Sequence, residues 1–332
     1  MRLQPSCDQP PSSTAVAGET SSRRRKMSQP ILVTGAAGGA QGSTGRQIAA
    51  LLLDKGFPVR AFVHKLDARS NTLRELGAEV VQGDLLDPVS VRASLRGIKH
   101  AYFTYPVADG LLEATTIFAM AAREAETELV VNNSQLQGAR KAPSFRNMQH
   151  GLADRIFDWA EVGAVHLHAP PYYENVRALV RRSVSEQSTV LLPWGDGSAT
   201  IPLVGAEDVS LVAATLLTNA ETPTESAYDL IAATPTVKEI VDTLSAVLQR
   251  PIKYVDITDE QWAGAMRGQI NPHALDHLSH LWRYFRSSER RSDEEARSVT
   301  DTIRTVTGGR AQTLKEFFRA NAGEFGSVPA AT

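Results

Sequence analysis

Five glycines, Gly35, Gly38, Gly39, Gly42 and Gly45, sit in the stretch ILVTGAAGGAQGSTGRQIAALLL, between a short apolar run and an amphipathic one. At a strand-to-helix turn, glycines permit a tight bend, let backbone N–H groups approach a phosphate, and let the helix pack on the strand. The helix N-terminus adds a favourable field for an anion. A pyrophosphate is the ligand such a turn suits. A merely flexible glycine-rich loop is the bland alternative, and the position at the first strand–helix junction argues against it. A three-residue step runs through Gly39, Gly42 and Gly45 and also through Gly35 and Gly38, so the loop is longer than a minimal one. Gly45 is assigned to helix packing and Gly42 to close phosphate approach. A phosphate-loop NTPase requires Gly-Lys-Ser/Thr, and Gly45-Arg46 excludes that class.

The next apolar run ends FVHKLDARS. Where a carboxylate would hold a ribose 2′-hydroxyl stands His64, followed by Lys65 and Arg69, a pattern that favours a 2′-phosphate and hence NADP(H) over NAD(H). The competing reading is a solvated charged loop in which Asp67 supplies the acid after a shift of register. Asp84 and Leu85, closing the third run, are expected to flank the adenine.

Other constellations carry less. His273, His277 and His280, with Asp276, have helical spacing, but the HExxH arrangement of a metal site is missing, and surface or packing roles are favoured over a metal. His166 and His168 alternate in AVHLHAP, so both face one side of a strand, where one could line a ligand cleft. No Gly-x-Ser-x-Gly elbow is present, which disfavours a hydrolase of that type.

Positioning these groups requires alternating strands and helices, and the periodicity supplies them. ILVTG and VRAFVH bracket a helix marked by Ile48, Leu51 and Leu52 and stopped at Gly56. AEVVQGD follows a helix closed by LRELG. Asp87 caps a helix with Pro88 first, ahead of HAYFTY. A helix through Leu111, Leu112, Thr115 and Ala119 precedes ELVVNNS, and a longer one, with Met148, Leu152, Ile156 and Trp159 expected inward, precedes AVHLHAP. Six strands and five crossovers in residues 30–170 call for an α/β, doubly wound parallel sheet of the Rossmann class. After Pro171 the alternation loosens. Residues 171–326 read as a smaller α+β substrate-covering region with a soft boundary, because such regions often borrow strands from the main sheet.

The chain has 332 residues, 35 basic and 37 acidic, with one cysteine, Cys7. No internal disulfide can form, which fits a reducing cytoplasm. The longest apolar stretches fall far short of a membrane span. Residues 1–29 hold most of the clustered basic charge and are expected to be disordered. Asp8, Glu19 and the lack of an amphipathic stripe argue against a transit peptide, and Met27 reads as the better start site. Without that tail the balance is acidic, which points away from nucleic acid.

From Gln29 to about Phe325 the sequence resembles the NmrA-like branch of the atypical short-chain dehydrogenase/reductases. The matching features, in order, are the glycine loop, VRAFVHK, VVQGDLLDPVSVRASLRGIKHAYF, TYP, the helix near His150, APPYYENV, GAEDVSLVAATLL and AYDLIAATPTVKEIVDTLSAVLQRPIKYVDITDEQW. The resemblance implies an NAD(P)-binding Rossmann domain with a small C-terminal region. It implies members that range from NADPH-dependent quinone or azo-dye reductases to sensors that bind cofactor and partner proteins without turnover. Carried over by position, Thr104, Tyr105 and Pro106 lie beside the cofactor, and Tyr172, Tyr173, Glu174 and Asn175 near the nicotinamide. The Tyr-x-x-x-Lys pair of classical members is absent. His150 stands in the corresponding helix, with Asp154 where many relatives place lysine. His150 as a proton donor and Ser134 as a substrate contact are the candidate catalytic residues. The expected activity is hydride transfer from NADPH to a small hydrophobic acceptor, quinone-like or azo. The rival is a non-catalytic NADP(H) sensor acting through a partner, and an epimerase or reductase of nucleotide sugars is a weaker third. A homodimer or a protein partner is compatible with either leading reading.

Overall fold

The computed structural model describes residues 29–39, 43–136, 142–219, 223–287 and 298–326. Residues 1–28 of the tail expected to be disordered, and the position of Gly42, lie outside the described residues. The first half runs β1 (Ile31–Val33), α1 (Thr44–Asp54), β2 (Val59–Val63), α2 (Ala68–Glu75), β3 (Glu79–Gln82), α3 (Pro88–Leu95), β4 (His100–Phe103), α4 (Leu111–Glu124), β5 (Leu129–Gln135), α5 (Phe145–Ala160) and β6 (Ala164–Ala169). Among the described residues these strands and β8 (Ala227–Asp229) form one seven-stranded sheet in the order β3-β2-β1-β4-β5-β6-β8. Every pairing in it is parallel. The order reverses between β1 and β4, and the crevice beyond their carboxyl ends is where doubly wound sheets bind ligands.

Alternation along the strands builds a core on each face. Val33, Tyr102, Val131 and Leu167 point toward α1 and α7 (Ala206–Thr218). Leu32, Phe103 and Val130 point toward α3, α4 and α5, where Phe103, Phe118 and Phe157 stack edge to face or tilted. Local chemistry sets the boundaries. Asp87 accepts from the N–H groups of Val89 and Ser90 to start α3, with Pro88 in the first position, and Gly56 ends α1 at positive φ.

The second half contributes α6 (Tyr173–Gln187), β7 (Thr189–Leu192), α8 (Val237–Leu248), β9 (Lys253–Asp256), α9 (Asp259–Met266), α10 (Pro272–Arg286), α11 (Thr302–Thr307) and α12 (Leu314–Ala320). The strands β7 and β9 pair in a separate two-stranded sheet. A third core around Trp194, Trp262, Trp282 and Phe318 joins these elements. The chain nevertheless returns to the main sheet twice, with β8 as its seventh strand and α7 packed beside α1. The strand β8 has three residues and alternates exposed, buried, exposed, too short a pattern to register as a strand in the sequence.

One helix is turned relative to expectation. Met148, Leu152 and Trp159 of α5, expected inward, are exposed, and Ile156 is half-buried. The buried face carries Arg146, Asn147, His150, Ala153, Asp154 and Phe157 instead. The physical reason lies in the strands beneath. Asn132, His166 and His168 project from β5 and β6 toward this helix, and buried polar groups left without partners cost more than apolar side chains left in water.

Candidate dinucleotide and substrate site

The turn after β1 is shaped by glycine at two positive-φ residues, Gly35 (φ 63) and Gly38 (φ 73). A β-carbon at Gly35 would also lie 2.8 Å from Thr104 Cγ2. At Gly45, in the first turn of α1, a β-carbon would lie 2.4 Å from the Thr34 carbonyl oxygen, so only glycine lets this helix rest on the strand. Among the described residues, no atom beyond its chain neighbours lies within 4 Å of where a β-carbon at Gly39 would be. Ser43 donates to the Gly39 carbonyl at 2.8 Å, and α1 begins without a side-chain cap or an acidic residue in its first turn. Uncapped N–H groups at a helix start, over an open glycine turn, match the requirements of a phosphate. From below, the buried Tyr102 hydroxyl pairs with Thr44 Oγ1 at 2.8 Å and fixes the start of α1. Burial pushes that phenol far above its usual range. Tyr102 was not singled out in the sequence; its only signal is a hydroxyl placed on the α1-facing side of β4.

A hydrogen-bonded row crosses the carboxyl edge from this turn. The Thr104 N–H donates to Thr34 Oγ1 (2.9 Å), Asn133 Nδ2 donates to Thr104 Oγ1 (3.4 Å), and the Tyr172 hydroxyl donates to Asn133 Oδ1 (3.2 Å). Thr104 and Tyr172 are thus brought to one ledge by Asn133, which sequence reasoning passed over. Tyr105 lies further out, its hydroxyl donating to the Asp109 carbonyl, with Asp84 near enough to add to the burial that raises its pKa. The Asp84 carboxylate accepts from the Leu86 N–H, and Leu85 is half-buried against the α3–α4 side of the core.

Tyr173 and Asn175 do not join the ledge. Tyr173 is fully buried in the third core against Phe317, its hydroxyl donating to the Gln312 carbonyl. Asn175 Oδ1 accepts from the Tyr172 N–H, closing the first turn of α6. Helical geometry separates the adjacent tyrosines: Tyr172 precedes the helix and Tyr173 starts it, so their side chains diverge.

At the end of β2, His64 and Lys65 are exposed. Arg69 reaches across to donate to the Gly38 carbonyl at 3.0 Å while pairing with Asp67 at 2.6 Å. Asp67 is the N-cap of α2, accepting from the Arg69 N–H, and the Arg69 guanidinium holds its carboxyl below the usual range. The carboxylate that the alternative reading needed for a ribose is therefore engaged by a cap and a cation. The basic loop and the glycine turn form one surface.

Behind the ledge, between α5 and the strands, lies a polar network. Asp154 accepts from Asn132 Nδ2 (2.9 Å) and contacts His168 Nε2 (3.1 Å). His168 Nδ1 contacts Asp229 at 2.9 Å, and His166 Nε2 contacts Asp158 at 3.0 Å. Burial alone would depress the His168 imidazole, but its hydrogen bonds to Asp154 and Asp229 outweigh it and raise the pKa to about 9. Burial likewise opposes ionisation of Asp154, and the hydrogen bond and charges of His168 and His166 reverse it, leaving the carboxyl below its usual range. His166 and His168 are both engaged in this network. The buried Ser134 hydroxyl, beside Asp154, has no formed hydrogen bond among the described residues.

His150 is buried in α5, and desolvation lowers its pKa to about 4, so its imidazole is neutral at neutral pH. Burial therefore opposes the protonated form that a proton-donor role for His150 would draw on, since a general acid works best with a pKa near the operating pH. His277 of α10 faces the same region, lowered by burial to about 3, and contacts Ser144 Oγ at 2.7 Å. His273 contacts Arg146 and Asp109, and His280 its own helix through the Asp276 carbonyl. The three histidines are directed to three different partners.

These features define a doubly wound α/β protein with a dinucleotide-type first crossover. The chain belongs to the NmrA-like family, whose model matches residues 27–318. It is similar to an NAD(P)H azoreductase of Xenophilus azovorans, 26% identical over 297 residues, spanning 87% of this chain and 98% of that protein. Its fold is shared by the triphenylmethane reductase of Citrobacter sp. complexed with NADP(H), with a TM-score of 0.73 and 20% identity, covering 88% of this chain and 99% of the other. It is also shared by NmrA, a negative transcriptional regulator, in complex with NADP, with a TM-score of 0.71 and 16% identity, covering 88% and 95%. Among the described residues no helix is long and apolar enough to cross a membrane.

Two outcomes follow from this geometry. The His168 pKa is raised on folding from about 6.5 to about 9, so its contribution is complete below pH 6.5 and is lost as pH rises through 9. Urea unfolding across that interval should show a decline of up to about 3 kcal/mol that His168→Gln removes, and a flat wild-type profile would contradict the network. Gly45→Ala should cost about 2 kcal/mol or more by forcing α1 off the Thr34 carbonyl, and an unchanged unfolding midpoint would show that the close approach is not needed.

Proposed function

We propose that the protein binds NADP(H) along the carboxyl edge of the sheet and transfers hydride from NADPH to a small hydrophobic acceptor of the quinone or azo type. The observation that carries this reading is the joining of the uncapped glycine turn to a basic loop through the Arg69–Gly38 hydrogen bond. The N–H groups of Thr44 and Gly45 at the start of α1, beside the glycine turn, would take the pyrophosphate and Lys65 with Arg69 the 2′-phosphate. Asp84, Leu85 and Tyr105 would flank the adenine, and Thr104, Asn133 and Tyr172 would support the nicotinamide end. When bound, NADPH supplies the hydride, and the chain's own work is orientation and exclusion of water. Ser134, a buried hydroxyl beside Asp154, is the group proposed to contact the acceptor. For a quinone-type acceptor the proton can arrive through water, so a neutral His150 and the missing lysine do not prevent turnover. The similarity to an azoreductase supports the same chemical class.

A second reading is favoured by one observation. The helix position that carries lysine in many relatives holds Asp154, tied to His168 and turned into the core, so no charged amine faces the ledge from there. A protein that binds NADP(H) and signals through a partner needs no such group. The likeness to a regulator supports this reading only at the level of fold.

Fluorescence quenching of bound NADPH, followed by its oxidation with a panel of quinones and azo dyes, separates the two. Turnover is expected, and tight binding with no acceptor reduced would leave the sensor. Lys65→Ala with Arg69→Ala should weaken NADPH at least tenfold, about 1.4 kcal/mol, with NADH little changed. Equal losses for both cofactors would refute the 2′-phosphate assignment.

A further inference from the structure

The polar network under α5 contains a line of groups with a wet end and a dry end. Asp229 of β8 is exposed, and its carboxylate lies 2.9 Å from His168 Nδ1. On the far side of the ring, His168 Nε2 lies 3.1 Å from Asp154 Oδ2 of α5. The Ser134 hydroxyl, 2% exposed, stands beside Asp154, on the same side of β5 as Asn132. Four different elements thus supply the line, and every group between solvent and Ser134 is an acid or a base that can hold and release a proton.

Hydrogen-bond counting gives the charge of its middle member. A carboxylate only accepts, and a neutral imidazole has one N–H, so contact of both His168 nitrogens with carboxylates requires the doubly protonated ring. His166, stacked on His168 at 6.4 Å, is different: Nδ1 accepts from Asn132 and Nε2 donates to Asp158, and one ring proton satisfies both. Asp154 from α5, Asp229 from β8, and His166 with Asp158 behind it are the titratable groups around His168. His168 therefore holds a transferable proton at neutral pH, in keeping with its pKa of about 9. A buried ion pair is seldom more stabilising than apolar side chains of the same volume, so stability alone does not account for this one.

We propose that His168 is the proton source for the acceptor, with Asp154 and Ser134 as the path. The inference rests on the reductase reading. Hydride from NADPH gives a quinone acceptor two electrons and leaves one negative charge on oxygen. The Ser134 O–H bond breaks toward that oxygen, Ser134 Oγ takes a proton from Asp154, and Asp154 takes the Nε2 proton of His168. The imidazole is left neutral, its Nδ1–H held by Asp229. Solvent, which reaches Asp229 and the quarter-exposed His168 ring, restores the imidazolium before the next turnover. A phenolic oxygen binds a proton with a pKa of about 10, close to the value of about 9 at His168, so the overall transfer runs nearly level.

Steady-state oxidation of NADPH with a quinone, followed as a function of pH, tests the path. The wild-type kcat should fall as pH rises through about 9, because above that value His168 has no proton to give. Below it, His168→Gln should lower kcat on the order of a hundredfold, with the acceptor KM little changed and the inflection gone. Imidazole added to His168→Gly should recover part of the loss. Asp229→Asn, altered at the exposed end, keeps the test available if the His168 variants do not fold. It removes one of the two carboxylates that hold the imidazolium and should move the inflection to lower pH, which a merely structural network would not do. A wild-type kcat that is flat across pH 9, a His168→Gln protein of wild-type kcat, or an inflection that Asp229→Asn leaves in place overturns the path and leaves the reductase reading standing. Wild-type protein that binds NADPH and reduces no acceptor at any pH overturns both.

Discussion

The seating of α1 on the end of β1 is the constraint from which the rest of the site follows. The Thr34 carbonyl lies where a side chain at position 45 would begin, so the helix can approach only through a glycine, and Tyr102 anchors the same turn from β4 through Thr44. That close approach sets the uncapped helix start directly over the glycine turn, at the point where the strand order reverses. Thr34 then ties β1 to Thr104, and the row continues through Asn133 to Tyr172. A displacement of α1 would therefore be felt along the whole ledge.

The helix α5 shows how a site can reverse the ordinary logic of burial. Its inner face is polar because β5 and β6 present Asn132, His166 and His168 to it, and the resulting Asp154–His168 pair is stabilised by mutual charge in a place where burial opposes the charge of either group alone. Its outer face is apolar by the same accounting, since the large side chains excluded from the core have only the surface left.

The two halves of the chain are interleaved rather than stacked. After leaving the main sheet at Tyr172, the chain returns to it as α7 and β8, while Tyr173 enters the separate core around Phe317. Between Tyr172 and Tyr173 the chain passes from the hydrogen-bonded ledge into the third core.

The alternation of strands and helices, the cap at Asp87, the glycine turn and the basic loop after β2 were all legible in the amino-acid order, because each depends on residues adjacent or a few apart in the chain. Local chemistry of this kind needs no knowledge of distant partners. The tertiary structure alone decided the direction of α5, the engagement of Asp67 by Arg69, the divergence of Tyr172 from Tyr173 and the burial of His150. An amphipathic pattern states that a helix has two faces, and which face turns inward depends on what the neighbouring strands hold out to it. Likewise a pKa is a property of surroundings, and the surroundings of His150 and His168 are assembled from segments far apart in the sequence.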